Sequence, residues 1–260
     1  MRKIFKNLIG WGIAILLGAV IANIVLFFYE RPVGWVDTPE GASKAVRKPY
    51  SVLVHGTEGY GVTQIDRNGF TNPDYPLNDS YVLMMGSSHT QGKEVASDKK
   101  YSVLVNDVLS SGENKLYTYN IACDGEDLTS VIEHFQSAVA NFSNASCITI
   151  EINGTDFSAD KINNAVSEGK KIDLKSTEQI FSQLSNKAKI KNFIKENFPL
   201  SSIIKTHMET VLVANSKLGG VTDNTVKETE GTTSEQDEED EYEYERALRD
   251  AFSYLKSCYS

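Results

Sequence analysis

Cysteine is scarce in this chain: three residues, Cys123, Cys147 and Cys258, in 260. A small odd number excludes a dense disulfide framework, and no Cys-x-x-Cys or Cys/His spacing suits zinc. The three are expected to be buried thiols. No metal or organic cofactor is implied. An excess of positive charge is also missing. The formal net charge is −9, which argues against nucleic acid as a partner. Gly86 and Gly92 are not followed by the Gly-Lys-Ser/Thr ending of a phosphate-binding loop. There is no internal repeat. With 40% hydrophobic and 23% charged residues, wholesale disorder and collagen-like structure are excluded as well.

The negative charge is concentrated. Ten acids and no Lys or Arg fall within 228–245, so the rest of the chain is close to neutral. Residues 219–245 are nearly free of apolar side chains and read as an acidic, disordered linker or loop. Residues 246–260 then begin an amphipathic helix through Leu248, Ala251, Phe252, Leu255 and Tyr259.

At the other end, Arg2, Lys3 and Lys6 precede an uncharged run over 8–28. At about 1.5 Å per residue, its 21 residues span roughly 31 Å, one bilayer core. Asn23 is its one strongly polar side chain. Residues 1–29 are expected to be a cytoplasmic tip and an uncleaved transmembrane anchor, because the apolar run continues beyond any small-residue cleavage site. The basic flank sets the N-terminus inside and the main domain outside a cell membrane. Residues 30–49, with Pro32, Gly34, Pro39, Gly41 and Pro49, read as a juxtamembrane linker.

Residues 50–218 carry the main domain. Two short strands, 51–55 and 61–65, precede turn chemistry at Asp66-Arg-Asn-Gly69. Then comes an alternation: an apolar strand at 81–85, a helix at 101–109, a strand at 116–122, a helix around 131–139 and a strand at 147–152. In the first helix, Tyr101, Leu104, Val105, Val108 and Leu109 form the face expected to pack inward. Strands alternating with helices predict an α/β fold with a parallel sheet. From Leu200 to Leu212 apolar residues recur at helical spacing.

In open parallel sheets, sites form beyond the carboxyl ends of the strands. Those ends read Gly86-Ser-Ser-His-Thr-Gln-Gly92, Asn120-Ile-Ala-Cys-Asp-Gly125 and Asn153-Gly-Thr-Asp-Phe157. Together they resemble the SGNH (GDSL-like) hydrolase family. Its first block, Gly-Asp-Ser-x-Thr-x-Gly, is matched by Gly86, Ser88, Thr90 and Gly92, with Ser87 in place of the Asp. Its second block is a Gly matched by Gly125. Its third, Gly-x-Asn-Asp, is matched at Asp156, with Thr155 where the Asn belongs. Gly-Phe-Thr-Asn at 69–72 also looks like many membrane-anchored members.

The resemblance implies a three-layer α/β/α, flavodoxin-like parallel sheet preceded by the transmembrane helix. It implies Ser88 as nucleophile. It also implies an oxyanion hole from Ser88, Gly125 and Thr155, with Asn153 as a substitute donor. Gly86, Thr90, Gly92 and Asp156 support the site. The substrate class is an acyl ester, including O-acetyl groups of cell-surface glycans, and hydrolysis and acyl transfer share the first half-reaction. One block departs. The family's Asp-x-x-His is absent, since none of His55, His89, His134 and His207 has an Asp three residues earlier. His89 is not expected to reach back to Ser88. The family would continue past residue 260 with a helix, a strand and that block, so either the chain is truncated or it lacks the base by nature. Two alternatives stay open: a catalytically silent glycan-binding module, and a scaffolding protein that recruits a partner through the acidic segment and final helix.

Overall fold

The computed structural model describes residues 2–38, 42–56, 59–73, 77, 80–111, 116–152, 158–168, 177–205, 208 and 235–259. The chain begins with one long helix, α1 (Arg2–Tyr29). Within it, Lys6–Tyr29 is long and apolar enough to cross a membrane, and none of its hydropathic window is buried by the protein.

Residues 30–49, expected to be a linker, carry structure. β1 (Trp35–Asp37) pairs antiparallel with β2 (Ala45–Arg47). β3 (Val52–His55) pairs antiparallel with β4 (Gly61–Gln64). An isolated bridge joins Arg31 to Val54. Pro49 lies in a turn, and the apolar residues of this stretch are used: Val33 packs with Leu53 and Ile65, while Ala42 and Val46 join the main core.

The central sheet has β5 (Tyr81–Met85), β6 (Tyr117–Asn120) and β7 (Ala145–Ile150), all parallel, in the order β6-β5-β7. In sequence order this is 2-1-3. The chain thus has a mixed α/β fold built on a parallel three-stranded sheet. Its crossovers contain α3 (Tyr101–Ser110) and α4 (Leu128–Asn141), with the short α2 (Ser88–Gln91) directly after β5. Asp127 caps α4 by accepting from Ser130 N at 2.8 Å, which satisfies one of the free amides at the helix start.

Side chains alternate across a strand. Tyr81, Leu83, Met85 and Tyr119 enter the main core with Val131, Ile132 and Phe135 of α4. Later come α5 (Ala159–Glu168), α6 (Thr177–Ser182), α7 (Asn186–Asn197) and α8 (Glu235–Tyr259), and residues 199–205 are helical. Ile162 and Ala165 of α5 and Ala247, Ala251 and Leu255 of α8 close the same core. Thr118, on the opposite face of β6, holds α3: its N–H donates to Asn106 Oδ1 at 3.1 Å and its hydroxyl to Ser102 O at 2.7 Å.

Three expectations need correction. The face of α3 that packs inward is polar, with Ser102 and Asn106 buried and Leu104, Val105 and Val108 exposed. Only Cys123 is a buried thiol; Cys147 is exposed and Cys258 half-buried. The final helix starts at Glu235 rather than 246, so residues 235–245 are not a disordered linker. Acids at its amino end suit the helix dipole, which charge counting alone does not register. Residues 209–234, including Val211 and Leu212, lie outside the described residues.

Candidate functional site

The site is built where the three parallel strands end. β5 leads into Gly86, whose φ of +155° is a conformation that favours glycine. A Cβ there would lie 2.6 Å from Glu151 Cβ and Oε2. Ser87 then caps α2, its hydroxyl accepting from His89 N at 3.3 Å. Ser88 is the first residue of α2 and is half-buried. Gly92 closes the helix in the left-handed region, its N–H donating to Ser88 O at 2.9 Å.

Backbone hydrogen bonds gather the other strand ends around this turn. Cys123 N donates to Gly86 O at 3.0 Å and Glu151 N to Met85 O at 2.9 Å. The first fixes the loop bearing Gly125, whose φ is +77°. Among the described residues, neither the N–H of Ser88 nor that of Gly125 donates a hydrogen bond, and no hydrogen bond reaches Ser88 Oγ. Thr155, Asn153 and Asp156 lie outside the described residues.

The side chain that binds the serine turn is one the sequence reading passed over. Glu151 accepts from Ser87 N at 3.1 Å, Ser87 Oγ at 3.0 Å and Thr90 N at 3.0 Å, and also from Thr90 Oγ1. Partial burial pushes its carboxyl up, but these donors outweigh that and hold it below the usual carboxylate range. Thr90, buried at 2% exposure, also accepts from Tyr101 OH at 2.7 Å. Behind α2, Asn120 Nδ2 donates to Thr90 O at 2.5 Å, and Asn120 N donates to Asn72 Oδ1 at 2.9 Å. Asn72 in turn donates to Asp66 Oδ2 at 3.0 Å, and Thr71 Oγ1 donates to Gln91 O at 3.2 Å. The Gly-Phe-Thr-Asn stretch therefore buttresses the serine turn from below. Burial drives the Asp66 carboxyl up, against hydrogen bonds from Tyr119, Asn72, Phe70 and Asn68.

Among the described residues, no histidine hydrogen-bonds to Ser88 Oγ. His89 keeps an exposed ring, its Nδ1 3.3 Å from Ser87 Oγ and 3.6 Å from Glu151 Oε1. His134 is buried in α4. His55 Nδ1 sits 3.0 Å from Glu30 Oε1, and His207 is outside the described residues. Among the described residues, no cluster of three or more His, Cys, Asp or Glu could hold a metal ion.

A cavity of about 360 Å³ adjoins the serine turn. Its wall includes Lys44, Arg47, His55, Gln91, Lys93 and Asp124, but not Ser88. Lys44 Nζ donates to Gly125 O at 3.0 Å, and Lys93 bonds Asp124, so the charged rim is tied to the Gly125 loop. Glu126, the next residue, accepts from Ser43 Oγ at 3.0 Å and Lys44 N at 2.6 Å. It fastens the β1–β2 hairpin to that loop, and burial raises its carboxyl to about 7.

No family model and no curated protein matches the chain. Among solved structures, the crystal structure of TesA is similar over 68% of this chain and 99% of that chain, at 15% identity and a TM-score of 0.28.

Proposed function

We propose that this chain is a membrane-anchored serine esterase or O-acyltransferase of the SGNH type, with Ser88 as its nucleophile. The observation that carries this reading is the serine turn. Ser88 opens a helix at the end of the central parallel strand, on a positive-φ glycine, with its own amide and that of Gly125 unpaired among the described residues. Ser88 Oγ attacks the ester carbonyl carbon, and the serine proton ends on the departing alcohol oxygen. The carbonyl oxygen becomes an oxyanion facing the two amides, with Thr155 or Asn153 as the third donor. Collapse expels the alcohol and leaves an acyl-serine. Water then gives hydrolysis, or a sugar hydroxyl gives transfer. The substrate class is an acyl ester, including O-acetyl groups of cell-surface glycans. Residues 8–28 anchor the chain in the membrane, with the amino end inside and the domain outside.

A serine hydroxyl needs a base to lose its proton. Among the described residues, no histidine or carboxylate hydrogen-bonds to Ser88 Oγ, and this favours the second reading, a silent module of the same fold that holds glycan. A fluorophosphonate separates the two. The esterase reading expects covalent labelling of the folded full-length chain that Ser88→Ala abolishes. Absence of labelling in a chain that still melts cooperatively leaves the binding module.

A further inference from the structure

The second half of the chain carries an apolar surface that none of the described residues covers. On α7 and in the helical residues after it, Ile190, Phe193, Ile194, Phe198 and Ile204 are 60, 60, 43, 51 and 50% exposed. An adjoining side of α7 is clamped to the domain. Glu196, 6% exposed, accepts from Gly34 N at 3.2 Å and from Lys48 Nζ at 2.8 Å. At about 100° per residue, Ile190, Phe193 and Ile194 span an arc of about 100°, and Glu196 lies about 60° beyond its Phe193 edge. Lys187 and Lys191 border one edge of that arc; at the other, Lys189 donates from Nζ to Ser182 O at 2.9 Å. An apolar arc edged by lysines is the pattern of a helix lying in a lipid interface, where the long side chains reach up to the headgroups.

A second observation fixes the level. Asn23, the one strongly polar side chain in the apolar run of α1, donates from Nδ2 to Asn197 O at 3.0 Å and accepts at Oδ1 from Leu200 N at 3.4 Å. A polar side chain within lipid must find partners in the protein, and here the end of α7 supplies both. Asn23 lies six residues before the end of α1, or about 9 Å along its axis. Interfacial helices bury their apolar face to about 5–10 Å. The contact therefore holds the α7 arc level with the lipid around the last turns of α1.

We propose that α7 and residues 199–205 form an interfacial membrane-binding face, embedded in the bilayer surface from which α1 emerges. The occupant of the arc is lipid. This rests on α1 spanning the membrane and is independent of Ser88.

The test is tryptophan quenching by acyl-brominated phosphatidylcholine, with the full-length chain in nanodiscs. The chain has two tryptophans, Trp11 and Trp35. With Trp35→Phe, Trp11 alone reports on α1. With Trp11→Phe, Trp35→Phe and Phe193→Trp combined, position 193 alone reports on α7. Both are expected to be blue-shifted and strongly quenched by brominated lipid relative to the unbrominated lipid. A quenched Trp11 with an unquenched, solvent-like reporter at 193 overturns the interfacial face and leaves α1 as a span. It would mean that a second copy or a protein partner covers the arc, or that nothing does. If neither is quenched, the span and the face both fall. Phe193 is largely exposed, so an aromatic exchange there does not endanger the fold.

Discussion

Glu151 shows how much of the serine turn rests on one carboxylate from the next strand end. Its carboxylate draws Ser87 and Thr90 toward one point, and Ser88 is held between them. Glu151→Ala leaves two backbone amides without acceptors, so it should cost about 1–3 kcal/mol, read as a lower denaturation midpoint, and should slow labelling of Ser88. The pH dependence has a definite sign. A carboxyl held below its unfolded value of about 4.3 gives full stabilisation above that pH and loses it as pH falls through the lower folded value. Wild type should therefore lose in acid an increment that Glu151→Gln never has.

Glu126 has the opposite sign. Its folded pKa of about 7 lies above the ordinary value of 4.5, so the folded state binds the extra proton. Its contribution is complete below about 4.5 and is lost as pH rises through about 7. Glu126→Gln keeps an oxygen for Ser43 and Lys44 and carries no charge. Melting across pH 4–9 should show the wild type losing stability over that window and the Gln variant staying flatter, equal or more stable at pH 8. A steeper loss in the variant would contradict the buried-carboxyl account.

At the scale of the element, the strands of the central sheet were the most legible part of the sequence. A five-residue apolar run such as 81–85 is too short for a buried helix and suits a strand covered on both faces, and Gly-Ser-Ser after it makes the tight turn. Helix existence was legible too, because periodicity sets length. Orientation was not. In α3 the apolar stripe predicts which face packs, yet Ser102 and Asn106 face β6, because Asn106 Oδ1 takes the Thr118 amide. Hydropathy ranks Asn106 as a surface residue. It cannot see that a buried backbone donor requires an acceptor there. Glu151 was missed for the same reason, since a charged residue closing a strand looks like solvent-facing punctuation. The two views of α3 predict opposite mutant orders. Asn106→Ala should cost about 1–3 kcal/mol, whereas Val108→Lys, at a position 71% exposed, should stay within about 0.5 kcal/mol. Paired urea melts decide it, and the reverse order would restore the apolar face as the packed one.

For the whole molecule, the closing element arrives from the far end of the chain. α8 lays Ala247, Ala251 and Leu255 into the core that α4 and α5 share with the sheet. Small residues at 247 and 251 let the helix approach closely, and Leu255, 4% exposed, fills the space beyond them. The apolar side of this helix is thus occupied within its own chain, which reduces what it offers a partner. Ile132 and Ile162, both fully buried, sit in that same core. Leu255→Ala should therefore behave as a core truncation, costing about 2–5 kcal/mol. Tyr259→Phe removes an exposed hydrogen bond to Ala145 O of 2.7 Å and should cost no more than about 1 kcal/mol. Chemical denaturation of both variants in the full-length chain tests this. If Leu255→Ala proved as mild as Tyr259→Phe, α8 would be a loosely docked appendage, and its apolar face would be free to recruit a partner after all.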